Sequence, residues 1–330
     1  MKKKAIVLLS GGLDSILATK LMMELGIEVV CVSYFIEFAM CGGGPTAAIQ
    51  AAQRLGVGLK VFDITTEYLE MFKKPKHGYG ANINPCIDCK IFMLKKAKEY
   101  MKEAGASFLV TGEVLGERPM SQRRDALNII EKNAGVRGIL LRPLSAKLLP
   151  ATIAEQEGLV DREKLLDISG RSRKPQFALA AKLGVKEYPN PSGGCLLTDP
   201  GFAKRVRDLM AHEGLTVDSL KLLKTGRHFR IGEAAKLIMG RDDKENSLLE
   251  TLVAKGDLCL MMKDYGGPFA VLKGPVDEET ILKAAGLVAR HTKYRNEEAL
   301  NVLYWPSGSK DQKILSVKAS SDEDVEKTRI

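Results

Sequence analysis

The chain has 330 residues, enough to bury a sizeable core and to form two domains. With 45% apolar and 28% charged residues it has the composition of an ordinary globular protein, and no apolar run approaches the ~18 residues of a membrane span. The net charge of +9 points to a polyanionic partner, and six unevenly spaced cysteines favour catalysis or metal binding over a disulfide scaffold. Met1-Lys2-Lys3-Lys4 runs straight into a strand pattern, so no signal peptide and a cytoplasmic location are expected. Ala5 to Leu9 reads as a strand, Asp14 to Leu25 as a helix stopped by Gly26, and Val29 to Ser33 as a second strand. A break at Gly42-Gly43-Gly44-Pro45 precedes a helix over Thr46 to Leu55, and Leu59 to Asp63 is a third strand. Lys90 to Ala104 reads as an amphipathic helix, followed by strands at Phe108 to Val110 and Ile139 to Leu141. This alternation is that of a parallel α/β sheet with crossover helices.

Between the first strand and helix lies Ser10-Gly11-Gly12-Leu13-Asp14-Ser15. Two glycines let backbone approach a ligand closely, and the helix that follows aims unpaired N–H groups into the turn, which suits phosphate. Ser10 and Ser15 add hydroxyls, and Asp14 can cap the helix or help hold Mg²⁺ beside a triphosphate. The loop is neither G-x-x-x-x-G-K-[ST] nor G-x-G-x-x-G. It resembles the S-G-G-x-D-S PP-loop of ATP pyrophosphatases, which cleave ATP between the α and β phosphates and transfer AMP. In an open α/β sheet the ligand sits beyond the carboxyl ends of the strands, where Ser10, Ser33, Thr111 and Arg142 fall. By that analogy Cys31 to Tyr34 line an adenosine pocket.

The second informative stretch is Cys86-Ile87-Asp88-Cys89, a C-x-x-C read as lying just before a helix, where the positive helix end should lower a thiol pKa. Cys195 in Pro191-Ser192-Gly193-Gly194-Cys195 is a third candidate. Cys86, Cys89 and Cys195 could hold a [4Fe–4S] cluster with one open iron, or Cys195 could carry a persulfide that Cys86 or Cys89 resolves. Cys31, Cys41 and Cys259 lack such settings and read as small buried or loop residues.

A PP-loop, a C-x-x-C and a third Cys in a Gly-rich loop together resemble the tRNA thiolation enzymes. Thr111-Gly112-Glu113-Val114-Leu115-Gly116 with Ser121-Gln122, and Leu141-Arg142-Pro143-Leu144, are similar to segments of 4-thiouridine synthetases of the ThiI type. Gly193 to Pro200 is more like thiouridylases of the MnmA type. The resemblance covers about residues 4 to 210 and implies an adenine nucleotide alpha hydrolase-like fold. It also implies that Thr111 and Gly112 lie against the nucleotide and that ATP, Mg²⁺ and either a cluster or a persulfide are used. The segment from Arg118 to Lys174, with twelve Lys/Arg against seven Asp/Glu, would suit an RNA-facing rim. ThiI-type enzymes carry RNA-binding modules before the PP-loop, whereas this chain starts on it, so the RNA must be held otherwise.

Beyond residue 200 the pattern changes to a helix at Phe202 to Met210 and short strands such as Leu258 to Met262 and Phe269 to Leu272. A smaller α+β domain over 201–330 is expected after a 1–200 PP-loop domain. Lys221 to Arg241 holds six Lys/Arg and His228 against Glu233 alone, a strip able to neutralise phosphates. Gly226 to Arg230 and Lys236 to Arg241, followed by Asn246, resemble the NFACT-R module, which implies RNA binding. Glu278, Glu279 and Lys283 read as a plain helical surface, Ser320 to Ile330 as a frayed tail and Trp305 as core. His77, His212 and His291 receive no role.

These readings converge on an ATP-dependent sulfurtransferase that adenylates a uridine carbonyl and replaces its oxygen with sulfur. Asp14, Cys86, Cys89 and Cys195 would be catalytic, with Ser10, Gly11, Gly12, Asp14, Ser15, Ser33, Thr111 and Gly112 binding nucleotide. The expected partners are tRNA or another structured RNA and a sulfur donor, either inorganic sulfide or a persulfide carrier, with no membrane and a homodimer left open. The alternatives are an ATP pyrophosphatase activating a small metabolite and a non-catalytic nucleotide- and RNA-binding quality-control factor.

Overall fold

The computed structural model describes residues 3–37, 44–188 and 195–330. Cys41, Gly42, Gly43 and the Pro191 to Gly194 loop lie outside the described residues. The chain divides into two compact units, Met1–Thr198 and Asp199–Ile330. No helix among the described residues is long and apolar enough to cross a membrane.

In the first unit five parallel strands, β1 (Lys4–Leu8), β2 (Glu28–Phe35), β3 (Leu59–Asp63), β4 (Phe108–Thr111) and β5 (Leu140–Leu141), stand in the order β3-β2-β1-β4-β5. Around them run α1 (Leu13–Glu24), α2 (Gly44–Leu55), α3 (Thr65–Lys73), α4 (Cys86–Glu103), α5 (Arg124–Ala134), α6 (Ile153–Gln156) and α7 (Lys174–Lys182). β1 is central and carries Ala5, Ile6 and Val7 with no exposed surface, as a strand covered on both faces must. Strand order reverses at β1, which pairs with β2 on one side and β4 on the other. The crevice outside the carboxyl ends of β1 and β4 is therefore the switch point of the sheet, where open α/β folds bind ligands. α1 is buried on two sides: Ile16, Ala18, Leu21 and Met22 join the sheet core, and Leu13 and Leu17 pack with Ala180 of α7. Its first turn is thereby held rigidly at the switch point.

The second unit is a six-stranded antiparallel sheet with helices. Its strands are β6 (Arg227–Ile231), β7 (Ala235–Met239), β8 (Leu258–Met262), β9 (Ala270–Lys273), β10 (Leu300–Pro306) and β11 (Lys313–Val317), ordered β11-β10-β8-β9-β7-β6. Its helices are α8 (Pro200–His212), α9 (Val217–Leu222), α10 (Asp243–Thr251), α11 (Glu278–Arg290) and α12 (Asp322–Thr328). Side chains alternate between two cores as the pleat requires. Leu237, Leu260 and Leu272 meet Ala284, Ala285 and Val288 of α11, while Ile238, Cys259 and Val271 face Leu249 of α10 with Trp305 beside them. The tail is not frayed: Ser321 caps α12, and Ile330 donates its N–H to His228 O at 3.0 Å.

Candidate active site

The Ser10 to Ser15 loop turns at the carboxyl end of β1. Gly11 has φ +81, and a Cβ there would lie 2.4 Å from Ala47 C in the backbone of α2, so only glycine fits. Ser15 Oγ donates to Gly12 O at 2.8 Å and lies 3.2 Å from Ser10 Oγ, which braces the turn. Gly12 is the N-cap of α1 and has no side chain to satisfy the first-turn amides; the first helical bond is Ile16 N to Gly12 O at 3.1 Å. The geometry is that of a helix N-terminus prepared for an anion. Gly112, at the end of β4, abuts the same turn: a Cβ there would lie 2.4 Å from Asp14 C and O. Gly112 thus allows β4 and α1 to approach, a packing role in addition to any contact with a ligand.

Asp14 does not cap its helix. Its Oδ2 accepts from Arg173 Nη2 at 2.9 Å, and the same nitrogen reaches Glu117 Oε1 at 2.9 Å. Burial and the charge of Glu117 push the Asp14 pKa up, against the pull of Arg173. Neither Glu117 nor Arg173 was given a role from the sequence, because both lie far along the chain from the loop they touch.

Beside Gly112, Glu113 anchors a buried ion network. Its carboxylate takes Lys90 Nζ and Arg142 Nε, each at 2.9 Å, and Arg142 also pairs with Glu131. Desolvation opposes the Glu113 charge, yet Lys90 and Arg142 outweigh it and hold the pKa down at about 2. Thr111 Oγ1 lies 3.2 Å from Glu113 Oε2. Arg142 is only 2% exposed and ties the L-R-P-L and T-G-E segments together. In β2, Cys31 belongs to the core, its thiol pushed up to about 12 by burial, and does not line a pocket; Ser33 and Tyr34 are also buried, nearer the carboxyl end of the strand.

Lys90 directly follows Cys89. α4 starts at Cys86, earlier than its periodicity suggests, so both cysteines lie in its first turn. Cys195 is brought to them by a short crossing of chain: Ile83 N donates to Leu197 O at 3.3 Å and Asn82 Nδ2 to Thr198 O at 2.7 Å. All three thiols lie near enough to the fully buried Tyr68 of α3 to act on its charge, and the Tyr68 hydroxyl hydrogen-bonds with Cys89. The lowered pKa expected at the helix end does not hold for Cys89. Desolvation dominates and pushes it up to about 12, against the Tyr68 hydrogen bond. Among the described residues no three His, Cys, Asp or Glu side chains are gathered closely enough to hold a metal ion. Asp88, between the cysteines, takes His77 N at 2.8 Å and meets His77 Nδ1 at 2.9 Å, which fixes the approach to α4.

The basic strip in the second unit is largely neutralised internally. Arg230 pairs with Asp208 at 2.6 Å and Glu213 at 3.0 Å, Lys236 with Asp208 at 3.3 Å, and Arg241 with Glu245. His228 is 1% exposed and lies 2.9 Å from Thr225 O through Nε2; desolvation, with Lys236 and Arg205, pushes its pKa down to about 3. The strip was read from composition, and strand pairing turns half of it inward.

The first unit is a parallel five-stranded sheet with the S-G-G-x-D-S loop at its switch point. Residues 1–147 match the family described as thiamine biosynthesis protein (ThiI), and residues 226–329 match the NFACT protein RNA binding domain. The chain therefore joins a ThiI-type segment to an NFACT-R segment. A probable tRNA sulfurtransferase from Methanosarcina mazei is 32% identical over 124 residues, covering 34% of this chain and 29% of that protein. The tRNA-specific 2-thiouridylase MnmA of Clostridium kluyveri is 31% identical over 129 residues, 34% of this chain and 36% of its own. The chain thus spans about a third of the length of these curated relatives. Of solved structures, a 4-thiouridine synthetase–RNA complex with bound ATP is 22% identical with a TM-score of 0.35, covering 55% of this chain and 51% of that one.

Proposed function

We propose that the protein is an ATP-dependent RNA sulfurtransferase acting on tRNA, with residues 1–200 as the ATP pyrophosphatase domain and 201–330 as an RNA-binding domain. The observation that carries this reading is one unbroken run of contacts from the loop to the thiols. Gly112 lies against Asp14, Glu113 pairs with Lys90, and Lys90 adjoins Cys89 among the three cysteines. The matched families and the tRNA-thiolating relatives support it.

Mg·ATP is the substrate that fits the loop: Gly11, Gly12 and the uncapped amides of α1 receive its phosphates, Ser10 and Ser15 contribute hydroxyls, and Ser33, Thr111 and Gly112 flank the nucleotide. Asp14, held here by Arg173, would hold the Mg²⁺ that the triphosphate carries. The uridine carbonyl oxygen attacks the α-phosphorus, and the bond to pyrophosphate breaks. Of the two sulfur routes the three thiols allow, we propose the persulfide: Cys195 carries a persulfide supplied by a carrier. Its terminal sulfur attacks the activated carbon, the C–O bond breaks and AMP leaves. Cys86 then attacks the Cys195 sulfur. The S–S bond to the product breaks, thiouridine is released, and an external thiol reduces the resulting Cys86–Cys195 disulfide.

The test is reconstitution with α-³²P-ATP, unmodified tRNA and a persulfide donor. AMP and thionucleoside should appear in equal amounts; AMP release that ignores RNA would overturn the reading in favour of a small-metabolite enzyme.

A further inference from the structure

A second cationic site lies within the C-terminal unit and shares Arg227 with the strip discussed above. A cavity of about 700 Å³ opens where the end of α11 and the loop after it meet the start of β6 and α12. Arg227, Arg290, His291, Lys293, Arg295 and Asn296 line it. Its one lining acid among the described residues, Asp322, pairs with Arg290. Val325 is the one aliphatic side chain on the wall, so the cavity does not suit an apolar partner. The cations are crowded enough to disfavour one another. Burial comes first and neighbouring cations add to it in pushing down the pKa of Arg227, beside Arg241 and Arg329, and of His291, beside Arg227, Arg290 and Arg329. A concave site holding several like charges and one committed acid is relieved by an anion.

The loop also carries a ring. Tyr294, between Lys293 and Arg295, is 42% exposed and stacks on Tyr265 with ring centroids 3.9 Å apart and an interplanar angle of 21°. The Tyr265 hydroxyl donates to Glu297 Oε2 at 3.3 Å, which turns that carboxylate to the tyrosine pair. Phosphate-binding cations beside an exposed aromatic are what a single-stranded nucleic acid requires, one for the backbone and one for a base. An acidic peptide would use the cations but leave the ring idle.

We infer that this cavity and the Tyr265–Tyr294 pair form an RNA-strand site, with Arg227, Arg290, Lys293 and Arg295 on the phosphates and a base stacked on Tyr294. The choice of RNA rests on the function proposed above; the site itself rests on the cavity and the ring.

The test uses the full chain and fluorescence anisotropy of a 5′-labelled tRNA transcript across a salt series. Lys293 and Arg295 are exposed loop residues, so K293E/R295E should fold normally. It should weaken binding by about tenfold or more and lower the slope of log affinity against log salt by about 1.4, two phosphate contacts' worth. Y294A should cost about tenfold and Y294F less than about twofold, because stacking needs the ring and not its hydroxyl. Unchanged affinity and slope in K293E/R295E, equal losses in Y294A and Y294F, or tighter binding of poly-glutamate than of RNA would each overturn the site. RNA binding by the unmodified chain without thiolation would refute the sulfurtransferase and leave this site standing. Thiolation and RNA affinity both undiminished by the charge reversal would refute this site alone.

Discussion

Replacing Glu113 with Gln removes a charge but little volume from the network that joins three segments of the first unit. Glu113 is 3% exposed and faces Lys90 Nζ and Arg142 Nε, each at 2.9 Å. Breaking one partner of a buried pair costs about 3–5 kcal/mol. Arg142 keeps Glu131, and the Lys90 side chain is 28% exposed, so a loss near the lower end, about 3 kcal/mol, is expected at pH 7. The pH dependence has a defined sign. The Glu113 pKa is held at about 2 against an ordinary 4.5, so its contribution is complete above 4.5 and disappears as pH falls towards 2. The gap between the parent protein and E113Q should therefore narrow across that window. Urea unfolding followed by circular dichroism is the assay, because the single tryptophan, Trp305, lies in the other unit. A double-mutant cycle with R142M should return a coupling above about 1 kcal/mol. A loss below about 0.5 kcal/mol with an unaltered acid limb would refute the network as a stabilising element.

Gly112→Ala places a methyl 2.4 Å from the Asp14 backbone. It should cost about 1–3 kcal/mol of stability and weaken ATP binding by about tenfold, read by thermal melts and calorimetry; an unchanged ATP affinity would contradict the placement of the loop. Asp14→Ala should abolish AMP formation while tRNA affinity in anisotropy stays intact, and surviving AMP release would show that the loop is misassigned. Cys195→Ser should separate the half-reactions, with pyrophosphate still released on tRNA but AMP retained on the uridine and no thionucleoside formed. Anaerobically purified protein should be colourless, iron-free and active; stoichiometric iron and labile sulfide would replace the persulfide route with a cluster.

The first unit was largely legible because its signals are local. An apolar strand followed by a two-glycine turn needs few other residues to define it, and strands β1 to β4 lie close to their expected positions. α3 and α5 were not read. The α3 residues Tyr68, Leu69 and Phe72 are buried, but the helix is short and its mean hydropathy is near neutral. What the sequence could not show were pairings across long separations. Arg173 meets Asp14 across 159 positions, and Tyr68 gathers three thiols from two segments. Composition misled in the basic strip, where Arg230 and Lys236 find an acid in the fold and Arg241 pairs with Glu245 at the surface. The cationic cavity went unseen because Arg227 of β6 and the residues of α12 join the Arg290 to Asn296 stretch only in the fold.

The central claim is that this chain puts sulfur into tRNA, and nucleoside mass spectrometry of total tRNA from cells with and without its gene tests it most directly. Loss of one thionucleoside, restored by the intact chain but not by Asp14→Ala or Cys195→Ser, is the predicted result. A thionucleoside profile unchanged by deletion, in cells without a second copy of the gene, would contradict it.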